Sequence, residues 1–191
     1  MKQAVVCLGN ELVGDDGAGI RIGRVLKRLE LPDSIDVLIR PNLGLDLIEL
    51  LEEYEEIVIV DAMTSGRSPG SCVRLETADA ASMASCPSCS HSLGIPEILQ
   101  LVARMQPDRA DRAVRIVGIE AASIDRFGLG LSEPVRRALP DAVALVLEAV
   151  GGLETFGEEA RRVAEAEASA AISIEDVLRP ERVYSGESSS G

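Results

Sequence analysis

The sequence predicts an α/β layer protein, and three observations lead there. Short runs of β-branched and aliphatic residues alternate along the chain with stretches that carry apolar residues at helical spacing. The run Ile57-Val58-Ile59-Val60 is apolar without interruption, as a central strand covered on both faces must be. At 191 residues the chain is long enough for one domain of ordinary size plus a remainder, with a core that needs no disulfide support.

Taken in order, residues 4–8 (Ala-Val-Val-Cys-Leu) form the first buried strand, and Ile20, Arg24, Val25, Leu26 and Leu29 mark the first helix. Residues 36–39 give a second strand, and residues 45–51, apolar at 45, 47, 48, 50 and 51, a second helix. The central strand 57–60 follows. Residues 70–75, after a Gly/Ser/Pro turn, read as an added edge strand. A helix over 96–105 has Pro96 in its first turn, residues 114–117 are another strand, and 133–150 is a long helix. No internal repeat is visible. The character changes at Gly151-Gly152, which divides the chain into a domain over 1–150 and an acidic, Ala/Glu-rich extension over 151–191. The extension reads as a solvated helix up to residue 169, a short apolar run (Ala171, Ile172, Ile174, Val177, Leu178) able to dock, and a disordered end over 180–191.

Charge narrows the partners. With 19 Lys and Arg against 32 Asp and Glu, the net charge is −13, which repels nucleic acid backbones and anionic membrane surfaces. Aromatic residues make up 2% of the chain and Trp is absent, so base-stacking platforms are hard to build. No apolar stretch approaches the ~20 residues of a membrane span, and residues 1–8 lack the pattern of a signal peptide. Four cysteines are too few for a disulfide scaffold, which leads to the expectation of a soluble, cytoplasmic protein without membrane insertion.

The first loop, Gly9-Asn10-Glu11-Leu12-Val13-Gly14-Asp15-Asp16-Gly17-Ala18-Gly19, joins strand one to helix one. A glycine-rich loop there often seats a phosphate, but the spacing fits neither the dinucleotide fingerprint nor the P-loop. Asp15 and Asp16 stand where a phosphate would sit, and two carboxylates attract a cation instead, so no nucleotide is expected. Capping of helix one accounts for one of the two aspartates and less well for the pair. Asp61 ends the run 57–60, and in an open parallel sheet ligands gather beyond the carboxyl ends of strands, which puts Asp61 and Asp16 on one edge. His91, the single histidine, lies in the polar loop Ser88-Cys89-Ser90-His91-Ser92. Asp16, Asp61 and His91 together would make an oxygen/oxygen/nitrogen set suited to a divalent transition metal. Cys86-Pro87-Ser88-Cys89 is a lone C-x-x-C without the second pair of a zinc site. A Ser-His-Asp arrangement is open on composition, but no G-x-S-x-G elbow accompanies it.

Four blocks occur in order: Gly9-Asn10-x-Leu12-x-x-Asp15-Asp16-Gly17-x-Gly19, Val60-Asp61-Ala62, Ser90-His91-x-Leu93-Gly94, and Gly118-Ile119-Glu120 followed by Gly128-Leu129-Gly130-Leu131-Ser132. Over about residues 3–150 they resemble the nickel-iron hydrogenase maturation proteases. The resemblance implies a three-layer α/β/α sandwich around a mixed, mostly parallel, twisted sheet. It implies an aspartyl-type endopeptidase that removes the C-terminal extension of the hydrogenase large-subunit precursor once nickel is installed. The metal-contacting positions of that family match Asp16, Asp61 and His91, with Asp16 the first candidate for a catalytic role and Asp61 the second. Nickel would be supplied by the substrate precursor. The residues Arg40-Pro41-Asn42-Leu43-Gly44 depart from the Gly/Thr-rich turn expected before helix two. A nickel-centre recognition or metallochaperone-like protein without peptidase activity would use the same three ligands, and a metal-independent hydrolase would need none of them.

Overall fold

The computed structural model describes residues 2–76, 104 and 113–178. Five strands form one sheet: β1 (Gln3–Leu8), β2 (Ile35–Arg40), β3 (Glu56–Met63), β4 (Cys72–Glu76) and β5 (Ala113–Glu120). Their order across the sheet is β2-β1-β3-β5-β4, with every pair parallel except β4 against β5. The antiparallel edge strand is the one anticipated at 70–75. Helices α1 (Ala18–Leu26), α2 (Asp46–Glu53), α3 (Glu133–Ala149), α4 (Leu153–Ser169) and α5 (Ile174–Leu178) complete the described structure.

Side-chain alternation along the strands creates two cores. Val5 and Cys7 of β1, Val58 and Val60 of β3, and Val117 of β5 pack with α1 and α3 on one face. Ala4, Val6 and Leu8 of β1 with Ile57 and Ile59 of β3 meet Leu47, Leu50 and Leu51 of α2 on the other. The result is a mixed, mostly parallel sheet between helical layers, an α/β fold of the expected class. Because the chain leaves β1 for β2 on one side and returns to β3 on the other, α1 and α2 lie on opposite faces. The switch point of the sheet therefore falls between β1 and β3.

Two sequence readings need correction. β3 does not stop at residue 60: it continues to Met63, held by β5 in the pairs Asp61↔Gly118, Ala62↔Ile119 and Met63↔Glu120. Asp61 is thus inside a strand, because β5 outlasts β1, whose last pair with β3 is Cys7↔Val60. Nor is α4 a solvated helix. Ala160, Ala164 and Glu167 are buried, with Phe156, Val163 and Ala168 packed against the first core. The stripe 156, 160, 163/164, 167 is helical in period but built mainly of small residues, so the surrounding Glu and Arg mask it in composition. Beyond it, Ser173 and Asp176 exchange side-chain and backbone hydrogen bonds at the start of α5, with Ile172 and Val177 half-buried and Ile174 exposed. The helix expected over 96–105, the C-x-x-C of Cys86 and Cys89, His91 and the expected disordered end lie outside the described residues, apart from Arg104 in a helical position and its exposed side chain.

Candidate active site at the β1–β3 switch point

The first loop is forced into its path by backbone contact. Gly9 has φ +140°, and a Cβ there would fall 1.9 Å from the Asp16 carbonyl oxygen, which accepts the Asn10 N–H at 3.3 Å. The Asn10 side chain in turn accepts the Leu12 N–H at 3.0 Å, and its carbonyl accepts the Val13 N–H at 3.1 Å. Residues Gly14–Gly17 then form a 3-10 turn that leads directly into α1. Gly19 packs the first turn of α1 onto the strand ends, since a Cβ there would lie 2.2 Å from the Leu8 carbonyl and 2.8 Å from that of Val60. That close approach brings the 3-10 turn against β3, the strand that carries Asp61.

Successive residues of a 3-10 turn point about 120° apart, so the two neighbouring aspartates have different surroundings. Both are buried, Asp15 at 2% and Asp16 at 0% exposure. Asp15 reaches across to the segment after β5. Its carboxylate accepts the Ala122 N–H at 2.8 Å, the Ser132 N–H at 2.6 Å and the Ser132 hydroxyl at 2.8 Å. It caps no part of α1, whose first turn has no side-chain cap. Asp16 lies fully buried in the turn that packs against β3, and Asp61 is also buried, one residue past the last β1–β3 pair. The structure thus brings two of the three sequence candidates to one end of the sheet, and the third, His91, lies outside the described residues. Among the described residues no group of three His, Cys, Asp or Glu side chains is arranged to hold a metal ion.

Two further carboxylates shape this end of the molecule, and neither was assigned a role from sequence. Glu120, at the end of β5, is buried and accepts hydrogen bonds from the Ser65 N–H (2.8 and 3.0 Å), the Ser65 hydroxyl (2.7 Å), the Gly66 N–H (2.9 Å) and the Arg67 N–H (3.2 Å). It thereby ties down the turn that follows β3. Glu11 is buried in a two-pronged contact with Arg24 of α1, which clamps the first loop to its own helix. A Glu closing the apolar run Ile116-Val117-Gly118-Ile119 was the signal for Glu120. No local pattern announces Glu11. The buried thiol of Cys7 in β1 is pushed up to about 12 by burial, and that of Cys72 to about 11 by burial and then by Asp141, so neither supplies a thiolate near neutrality.

Known proteins can be set beside this geometry. The family model described as "Hydrogenase maturation protease" matches residues 20–149. A Pyrococcus furiosus protein named FrxA is 32% identical over 142 residues, 72% of this chain and 97% of that protein. The Hydrogenase 2 maturation protease of Escherichia coli is 26% identical over 164 residues, covering 84% of this chain and 98% of the relative. Among solved structures, the E. coli hydrogenase maturating endopeptidase HybD superposes with a TM-score of 0.68 at 25% identity, covering 79% of this chain and 93% of that one. The [NiFe] hydrogenase maturation protease HybD from Thermococcus kodakarensis does so with a TM-score of 0.61 at 30% identity, over 78% and 99%. A match across most of the folded chain, with a sheet and helices in the same arrangement, means that the chain belongs to the hydrogenase maturation protease family, whose members are peptidases.

Proposed function

We propose that this protein is an endopeptidase that removes the C-terminal extension of a nickel-loaded hydrogenase large-subunit precursor, reading the substrate-borne nickel through Asp16, Asp61 and His91. The observation that carries the proposal is the convergence of two buried carboxylates, Asp16 and Asp61, at the β1–β3 switch point. Carboxylate oxygens are good donors for a divalent metal, and an imidazole is the usual nitrogen partner. In a site shielded from water their charge acts at a lower effective dielectric than at the surface, so a cationic centre is attracted strongly. Nickel belongs to the substrate in this reading: the site grips the metal, and the grip fixes the scissile bond beside Asp16. Most of the rate advantage then comes from orientation. A carboxylate, Asp16 first, takes the proton of the attacking water in the aspartyl-type manner. The reaction belongs in the cytoplasm on this reading. Among the described residues no helix is long and apolar enough to cross a membrane.

Intact-mass spectrometry tests the proposal. Wild-type protein should shorten a nickel-loaded precursor and leave a nickel-free precursor intact. The Asp16→Asn variant should cut the loaded precursor at least ~100-fold more slowly, the usual cost of losing a positioned proton acceptor. A complex that forms only with nickel yet leaves the precursor at full length would instead identify a recognition protein without peptidase activity.

A further inference from the structure

The segment joining β5 to α3 carries an apolar pair that the folded chain leaves outside. Phe127, one of two phenylalanines in the sequence, is 89% exposed, and Leu129 is 44% exposed. Their position is fixed, because the segment is held at three points. Asp15 binds the Ala122 amide at one end and both the amide and the hydroxyl of Ser132 at the other. Between them Gly128 pairs with Val13 in a parallel bridge, donating its N–H to the Leu12 carbonyl at 3.0 Å and accepting the Gly14 N–H at 2.8 Å. Phe127 and Leu129 flank the bridged Gly128 directly, so both exposed side chains lie within one residue of the point tied to the first loop. The loop residues on the other side of the bridge, Leu12-Val13-Gly14, run directly into Asp15 and Asp16.

We propose that Phe127 and Leu129 are the apolar anchor on which the precursor polypeptide docks while its nickel is presented to Asp16. This inference rests on the function proposed above. The occupant is a folded protein rather than a small molecule, because small ligands sit in concave sites, whereas Phe127 protrudes. A fixed, protruding aromatic ring is the shape that fills a pocket on a protein partner. It is the precursor in particular because this anchor is bridged to the loop that holds Asp16, so a protein that brings a metal to Asp16 comes down beside it. Preorganisation adds to the effect: the ring needs no reordering of its backbone on contact.

The test is the kinetics of trimming, with direct binding measured alongside, for wild type, Phe127→Ala and Phe127→Leu against the nickel-loaded precursor. A side chain this exposed contributes little to folding, and matched thermal melts verify that. The expected result is a rise in KM and in the precursor Kd of about 30-fold for Phe127→Ala, as for an aromatic hot spot, with kcat unchanged and Phe127→Leu in between. Unchanged KM and Kd overturn the inference, as does a variant that alters only self-association in sedimentation. If wild type binds the precursor without cutting it, the peptidase reading fails, while a ~30-fold loss of binding in Phe127→Ala still upholds the anchor. If wild type does not bind the precursor at all, both fall.

Discussion

At the seam between α1 and α4 a buried carboxylate meets guanidinium groups, whereas at the carboxyl end of the sheet Asp15 and Glu120 meet amides and hydroxyls. In the seam, Arg21 and Glu167 are both almost fully buried and paired at 2.7 Å, and Arg28 adds a contact to the other Glu167 oxygen at 2.8 Å. Arg21 also donates to the Glu167 and Ala170 backbone carbonyls. Burial lowers the Arg21 pKa from its usual value and Glu167 opposes that, which is the balance of a paired internal charge. At the sheet end, the hydrogen bonds accepted by Asp15 and Glu120 come from uncharged donors. The first arrangement cancels charge and fastens two helices together. The second fastens loops without bringing in a cationic partner, at the end of the sheet that also holds Asp16 and Asp61, where the proposed function places the substrate's cationic centre.

The largest effect that can break this contrast comes from the seam. Arg21→Met leaves Glu167 buried with only the half-exposed Arg28, and removal of one partner from a buried pair costs about 3–5 kcal/mol. Urea unfolding should show that loss, and a loss below ~1 kcal/mol would mean that the seam does not hold α4 in place. Next comes Asp15→Ala, which strips three part-buried hydrogen bonds and leaves the Ala122 and Ser132 amides without their carboxylate acceptor, at an expected cost of about 1–3 kcal/mol. Hydrogen exchange should accelerate at Ala122 and Ser132 and stay unchanged at α4. Acceleration at both places would show the two regions to be one cooperative unit.

The smallest effect concerns two groups that burial perturbs first of all. The Cys7 and Cys72 thiols are raised from 9.0 to about 12 and about 11, so the folded chain keeps their protons longer than the unfolded chain does. Their contribution is intact below about pH 9 and is lost as pH climbs through the folded-state values, at up to ~1.4 kcal/mol per pH unit for each group. Urea midpoints should therefore fall between pH 9 and 11, less steeply in Cys72→Ser than in wild type. Equal slopes in the two proteins would remove Cys72 from the account.

Much of the fold was legible because its signals are local. The apolar runs that became β1 and β3, the helical spacing of Ile20 to Leu26, and the Pro and Gly punctuation around β4 each lie within a few residues, and each element formed within a few positions of its expected place. The candidate site was legible in part. Two adjacent aspartates after a first strand, and a third after a central one, pointed to one sheet edge by a rule of topology. Which of the two aspartates ties the loops together was not legible, since it depends on the 120° step of a 3-10 turn and on a partner, Ser132, that lies 117 residues away.

The layered α/β class, the glycine-shaped first loop with its paired carboxylates, and an acidic surface ill-suited to nucleic acid all follow from the order of residues along the chain. That β3 runs past Asp61, that α4 is bolted to α1, and that Phe127 stands beside the Asp16 loop are consequences of long-range packing. Periodicity and turn chemistry act over a few residues and can be read in order. Arg21 and Glu167 are 146 residues apart, and what fixes such a pair is the packing that buries them together.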